Sequence, residues 1–244
     1  MEPRDGAAAR QRVLSLEALG TGYGKKQVVF EASMHVDEGE IVGVLGHNGS
    51  GKSTTIKTIL GVLPPISGKV TYMGHDCTGR NPRVNVREGM ALIPSERFVF
   101  QDLTVTDNLL LGGANDPDAD RRAKRMELVL SLFPILAERS AQLAGTMSGG
   151  QQRMVSLGIA LMASPKLLML DEPSLGLAPS VVQQIFDVVR RLADEDGLSV
   201  LLLEQNVGQA LRIVDRVYIM RSGRVLLEET AEQMRARESY WDLF

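Results

Sequence analysis

Residues Gly46 to Thr54 read GHNGSGKST and fit the pattern G-x-x-x-x-G-K-[ST], with Gly46, Gly51, Lys52 and Ser53 at its defined places. The chemistry open to such a spacing is the holding of a phosphate chain. Residues without Cβ let the backbone curl through His47, Asn48, Gly49 and Ser50 so that successive N–H groups face one anion, and the helix that follows adds its positive end. Nucleotide binding is therefore expected here, in preference to a plain glycine turn. A second stretch, MSGGQQRM (Met147 to Met154), puts Ser148, Gly149, Gly150 and Gln151 at the opening of an apolar helix, which makes another backbone anion site. A third, KLLMLDEPS (Lys166 to Ser174), ends an apolar strand on the adjacent carboxylates Asp171 and Glu172. A strand-end aspartate suits Mg²⁺ held through water or phosphate, and period-2 alternation is expected to send Glu172 to the other side, toward an attacking water.

These groups need a scaffold, and the flanking sequence supplies one. IVGVL (Ile41 to Leu45) is an uninterrupted apolar run of the kind a fully buried strand shows, and Ile56, Ile59 and Leu60 give the segment after Lys52 helical spacing. That helix is expected to stop near Gly61, ahead of Pro64 and Pro65. VLSLEAL (Val13 to Leu19) and QVVFEASMHV (Gln27 to Val36) read as strands separated by a turn at Gly20 to Gly24, a turn that carries Tyr23, whose ring could lie against a base. KVTYM (Lys69 to Met73), MALIP (Met90 to Pro94) and SVLLLEQN (Ser199 to Asn206) read as further strands, and RVYIM and RVLLE, separated by Ser222 and Gly223, as a hairpin.

From Ser95 the texture turns helical, with Met126, Val129, Leu130 and Phe133 on one face. This region reads as a small helical subdomain inserted into an α/β core, and its basic cluster Arg121, Arg122, Lys124 and Arg125 as the solvated face of a helix. Ser180 with Gln183, and Thr230 with Gln233, are expected to form capping boxes. The closing aromatics Tyr240, Trp241 and Phe244 are expected to pack on the protein's own surface, and the first dozen residues read as linker-like.

A chain of 244 residues can bury a sizeable core, and a formal net charge of −3 gives no reason to expect a nucleic-acid partner. The lone Cys77 has no companion for a disulfide or a metal site, which suits a reducing compartment. Neither an export signal nor an apolar run of membrane-spanning length is read, so work at a membrane would require a partner to hold the chain there.

Phosphate loop, SGGQQ helix start and DEP after an apolar strand, in this order, resemble the ATP-binding subunits of ABC transporters over nearly the whole chain, from Val13 to about Thr230. The runs SLGLAP (Ser174 to Pro179), DLTVTDNLLLG and LLLEQN make it most similar to the second ATP-binding subunit of bacterial branched-chain amino-acid importers, a subfamily shared with urea and amide importers. The resemblance implies an α/β P-loop NTPase core with a mixed sheet, an N-terminal antiparallel β part and a helical subdomain at about residues 95–165, all within one nucleotide-binding domain, 1–244. It implies ATP and Mg²⁺ as ligands. By position Tyr23 would stack on adenine, the loop from Gly46 to Thr54 would wrap the phosphates with Lys52 on the β and γ groups, and Ser53 and Asp171 would hold Mg²⁺. Glu172 would polarise the hydrolytic water, and Ser148, Gly149, Gly150 and Gln151 would close on a partner's γ-phosphate. It further implies a second copy or a paralogous ATPase, integral-membrane permease subunits, indirectly an extracellular solute-binding protein, and a place on the cytoplasmic face of the membrane.

Two positions depart from the wider family. Ser95, followed by Glu96, stands where relatives carry a glutamine or glutamate that reaches the metal, and a serine reaches it only through a water. Gln205 stands where most relatives place a histidine on the γ-phosphate; its amide donates a hydrogen bond but carries no charge. Slow hydrolysis alone and full activity beside a non-identical ATPase are expected. The rival expectations are a nucleotide-gated regulator, or a soluble ABC-type ATPase unconnected with transport.

Overall fold

The computed structural model describes residues 11–96, 99–237, 239, 240 and 243. Along the chain run β1 (Arg12–Tyr23), β2 (Lys26–Asp37), β3 (Ile41–Leu45), α1 (Lys52–Leu60), β4 (Pro65–Tyr72), β5 (His75–Asp76), α2 (Pro82–Arg87) and β6 (Met90–Ile93). There follow α3 (Val105–Gly112), α4 (Ala119–Leu132), α5 (Pro134–Glu138), a 3₁₀ turn (Ala144–Thr146), α6 (Gly149–Met162), β7 (Leu167–Asp171) and α7 (Pro179–Asp196). The chain continues through β8 (Ser199–Glu204), α8 (Val207–Ala210), β9 (Arg216–Arg221), β10 (Arg224–Thr230) and α9 (Ala231–Arg235).

The strands form a six-stranded sheet in the order β10-β9-β3-β8-β7-β6 and a four-stranded sheet in the order β2-β1-β4-β5. In the larger sheet β6, β7, β8, β3 and β9 are parallel, and β10 returns antiparallel to β9. Every residue of β3, β7 and β8 is buried, the reason their sequences are nearly continuous apolar runs. Alternation sorts their side chains into two cores: Ile41, Leu45, Val200 and Leu202 enter the one shared with α6 and α7, while Val42, Val44, Leu201 and Leu203 enter the one beneath the antiparallel sheet. Between β6 and β7 the described residues hold helices and a single Thr104–Leu143 bridge but no strand. The mixed α/β architecture, with its antiparallel N-terminal sheet, agrees with the sequence expectation.

Several local expectations are corrected. The glycines after Leu19 do not turn: β1 runs on to Tyr23, and the reversal falls at Gly24 and Lys25. Gly20 and Gly22 serve cross-strand crowding instead, since a Cβ at Gly22 would lie 2.1 Å from the Lys26 carbonyl oxygen and one at Gly20 would lie 2.5 Å from Ser67 Oγ. β4 starts at Pro65, earlier than the apolar run suggests, because β1 extends far enough to pair with it. Ser180 and Gln183 make no capping box. Pro179 is already the first residue of α7, its missing N–H costing nothing there, and Gln183 Nε2 donates to Asp187 Oδ1 at 2.6 Å. The basic cluster is only partly a free face, because Asp116 accepts from Arg121 and pairs with Arg125, and Arg125 also reaches the carbonyl of Met162. These arginines pin the loop before α4 and tie it to the end of α6.

Other local readings hold. Gly61 ends α1 at φ 92°, and Thr230 with Gln233 forms the box that opens α9. Ser222 and Gly223, at φ 50° and 79°, make the tight β9–β10 turn. Tyr240 and Leu243 pack on the core. Residues 1–10, Trp241 and Phe244 lie outside the described residues.

Candidate functional site

The carboxyl ends of β3, β7 and β8 converge at one rim of the large sheet, and each delivers a different group. After β3 the loop curls back through Gly49 at φ 81° and Gly51 at φ 107°. Gly46 admits no side chain, since a Cβ would sit 2.2 Å from the Met220 carbonyl oxygen. The loop is held from both sides: Gly46 N–H donates to the Glu204 carbonyl at 3.3 Å, and Gly223 N–H, in the β9–β10 turn, donates to the Ser50 carbonyl at 2.9 Å. Gly51 caps α1 without any side chain to satisfy the first N–H groups of the helix, which leaves donors of the kind that bind anions. Ser50 Oγ is buried and without a hydrogen-bond partner among the described residues. Open donors, an orphaned hydroxyl and a glycine-walled cradle fit a phosphate chain.

Lys52 is 4% exposed, and its Nζ donates to the carbonyls of Gly46 at 2.7 Å and His47 at 3.2 Å. It also stands 3.1 Å from Glu172 Oε1. Next to it Ser53 Oγ donates to Asp171 Oδ1 at 3.0 Å. The two carboxylates therefore do not diverge as strand alternation suggests. Glu172 leaves β7 at φ 47°, its N–H donating to the Leu203 carbonyl at 2.9 Å, and this left-handed step swings its side chain to Lys52. Burial pushes the Asp171 carboxyl above the usual carboxylate range; the Ser53 hydroxyl opposes this and the neighbouring Glu172 charge adds to it. A buried carboxylate beside a serine hydroxyl at a phosphate loop is an all-oxygen donor set, suited to Mg²⁺.

Tyr23 is half exposed at the tip of the β1–β2 hairpin. Gln205 is exposed directly after β8 and lines an open cleft of about 710 Å³ with His47, Glu172, Ser174, Leu177 and Tyr240. Ser148 and Gln151 satisfy each other: Gln151 N–H donates to Ser148 Oγ at 3.4 Å while Ser148 N–H donates to Gln151 Oε1 at 3.0 Å. Gly150 lets α7 approach, because a Cβ there would lie 2.7 Å from Val181 Cγ1. Among the described residues Ser95 makes no hydrogen bond with Ser53 or Asp171. Its carbonyl accepts from Arg153 Nη2 at 2.6 Å and that of Pro94 from Arg153 Nη1 at 2.5 Å, so this loop is tied to α6.

Sequence reasoning passed over Glu204. It is the last residue of β8 and 1% exposed, with one carboxylate oxygen accepting from Ser174 N–H at 3.0 Å and the other from Gln205 N–H at 3.2 Å. An acid closing the run SVLLL was the available signal, since a carboxylate in a buried strand needs partners.

Known proteins bear on this geometry. A family model described as ABC transporter matches residues 29–175. The high-affinity branched-chain amino acid transport ATP-binding protein BraG of Pseudomonas aeruginosa is 44% identical, the match covering 93% of this chain and 99% of BraG. A probable branched-chain amino acid transport ATP-binding protein, LivF, of Archaeoglobus fulgidus is 36% identical over 91% and 94%. Among solved structures, a nucleotide-free ATP-binding cassette from an ABC transporter superposes with a TM-score of 0.85 at 27% identity, covering 96% of this chain and 97% of that one. With fold, phosphate loop and paired carboxylates arranged as described, the chain belongs to the ABC transporter family.

Proposed function

We propose that this chain is the ATP-hydrolysing subunit of a membrane importer for branched-chain amino acids or related amides, working on the cytoplasmic face beside a permease. The observation that carries the reading is the meeting of Lys52 with Glu172 and of Ser53 with Asp171 at an open anion cradle. The two branched-chain transport relatives, matched over most of their lengths, support the substrate class. The enzymatic class is that of an ABC-type ATPase.

In this reading the loop from Gly46 to Thr54 takes the triphosphate, Tyr23 stacks on adenine, and Lys52 exchanges loop carbonyls and Glu172 for phosphate oxygens. That exchange frees Glu172 to accept a proton from the attacking water, so the buried ion pair keeps the base idle until nucleotide arrives. Ser53 and Asp171, with Ser95 through water, would hold Mg²⁺, which supplies neutralisation of phosphate charge. Positioning and charge neutralisation carry phosphoryl transfer, and the residues present offer both. The helix start at Ser148 to Gln151, exposed at Ser148, closes the site of a neighbouring cassette, a second copy or a related non-identical ATPase.

Among the described residues no helix is long and apolar enough to cross a membrane. An apolar groove of about 460 Å³ between the large sheet and α6, lined by Leu60, Val62, Val86, Pro94, Ile159 and Ala160, is suited to an apolar segment of that partner. The test is E172Q in the full complex purified through its permease: ATP binding is retained and turnover falls about 10²-fold or more. Turnover equal to wild type would refute the assignment. Stimulation by leucine, isoleucine or valine with the solute-binding protein, against urea and amides, reads the substrate class. Equal rates for the chain alone and with its partner ATPase would refute the composite pair.

A further inference from the structure

Glu204 is a buried carboxylate whose assigned partners are donors at Ser174, Gln205 and Asn206, with no lysine or arginine among them. Burying a charge this way costs stability that an apolar side chain at the end of β8 would not incur. Its direct hydrogen bonds span two separate loops. Ser174 opens the segment Ser174 to Pro179, whose Leu175 is 59% exposed and which leads into α7. Gln205 opens the loop into α8. The same strand end also holds the catalytic rim: the Glu204 carbonyl accepts from Gly46 N–H, and the Leu203 carbonyl from Glu172 N–H. A carboxylate is the one side chain of this length that offers an acceptor to a donor on each side, since a glutamine must turn its NH₂ toward one of them.

We propose that Glu204 is a positioning residue that locks the Ser174 to Pro179 loop to the Gln205 loop, so that the segment leading from Glu172 into α7 fixes where the Gln205 amide is presented to the γ-phosphate. The inference rests on the site reading above and adds the residue that ties these two loops together. Burial raises the carboxyl's proton affinity, and the hydrogen bonds from Ser174, Asn206 and Gln205 oppose that rise.

The experiment uses the full complex with its permease and partner ATPase, carrying E204Q, E204D, Q205A, E204Q/Q205A and, as the reference for the site itself, E172Q. E204Q is expected to lower kcat for ATP about tenfold or more, with KM within about twofold of wild type. E204D keeps the charge but withdraws it by a methylene, and is expected to lose less. The double variant is expected to lose less than the product of the two single losses, because both act on one loop. Turnover of E204Q within twofold of wild type, a rise in KM at unchanged kcat, or fully multiplicative losses would each overturn the coupling. If neither E204Q nor E204D folds, the carboxylate is a folding element and the inference fails. If E172Q matches wild type, the site assignment fails and takes this inference with it; an impaired E172Q beside an unimpaired E204Q defeats the coupling alone.

Discussion

Two helices in this protein open on glycine and serine, and they are finished in opposite ways. α1 begins after Gly51 with no side-chain cap, a lysine and serine turned inward, and an unpartnered Ser50 hydroxyl beside it. α6 begins after Ser148 with a closed capping box, an exposed N-cap and a half-buried first turn. The first is an incomplete structure that an anion completes. The second is already stable by itself, so an anion brought by another molecule adds to it without being needed for folding. In the proposed reading the difference separates binding from closure: α1 holds nucleotide in a lone chain, whereas the start of α6 meets the nucleotide of a neighbour.

The largest effect that would sharpen this contrast is expected from K52A, which should weaken ATP binding by the isolated chain about 10²-fold, the scale of losing charge-assisted hydrogen bonds. Equilibrium binding of a fluorescent ATP analogue reads it. S148A should leave that affinity unchanged, lower turnover of the assembled complex roughly tenfold, and cost about 1 kcal/mol of stability through the lost cap. An affinity loss in S148A comparable to that in K52A would break the comparison. Next in size is a pH effect on the nucleotide-free chain. The Asp171 carboxyl titrates higher folded than unfolded, so the stability it contributes is present below the ordinary carboxylate range and is lost as pH rises through the raised value. D171N should therefore raise the thermal midpoint at neutral pH by about 2 °C and flatten its fall between acid and neutral pH, measured without metal or nucleotide. The smallest effect is expected from S50A. Removing an unpartnered buried hydroxyl should leave the nucleotide-free chain as stable or up to about 1 kcal/mol more stable, while ATP affinity drops a fewfold.

Much of the site is legible in the chain because its groups are local. Gly46, Gly51, Lys52 and Ser53 lie in one loop, and backbone curl plus a helix start follow from their order alone. The Ser148–Gln151 box is readable for the same reason, as donor and acceptor stand three residues apart. Misreadings occurred where a distant strand or a single backbone step decides. The glycines of β1 looked like a turn because local composition cannot show that β2 and β4 crowd them from either side. The side to which Glu172 points could not be read, since one residue at φ 47° cancels the alternation.

The sequence by itself determined the buried strands, the phosphate cradle and the acidic strand end, because burial on both faces demands apolar runs and an anion loop demands glycine at set places. Only the tertiary structure decided that Lys52 rests on Glu172, that Arg153 ties the Ser95 loop to α6, and that Glu204 joins two loops. Those pairings depend on which strand ends lie side by side in the sheet order. That order is set by how two cores fill from both faces, a property of the whole packed chain and of no segment within it.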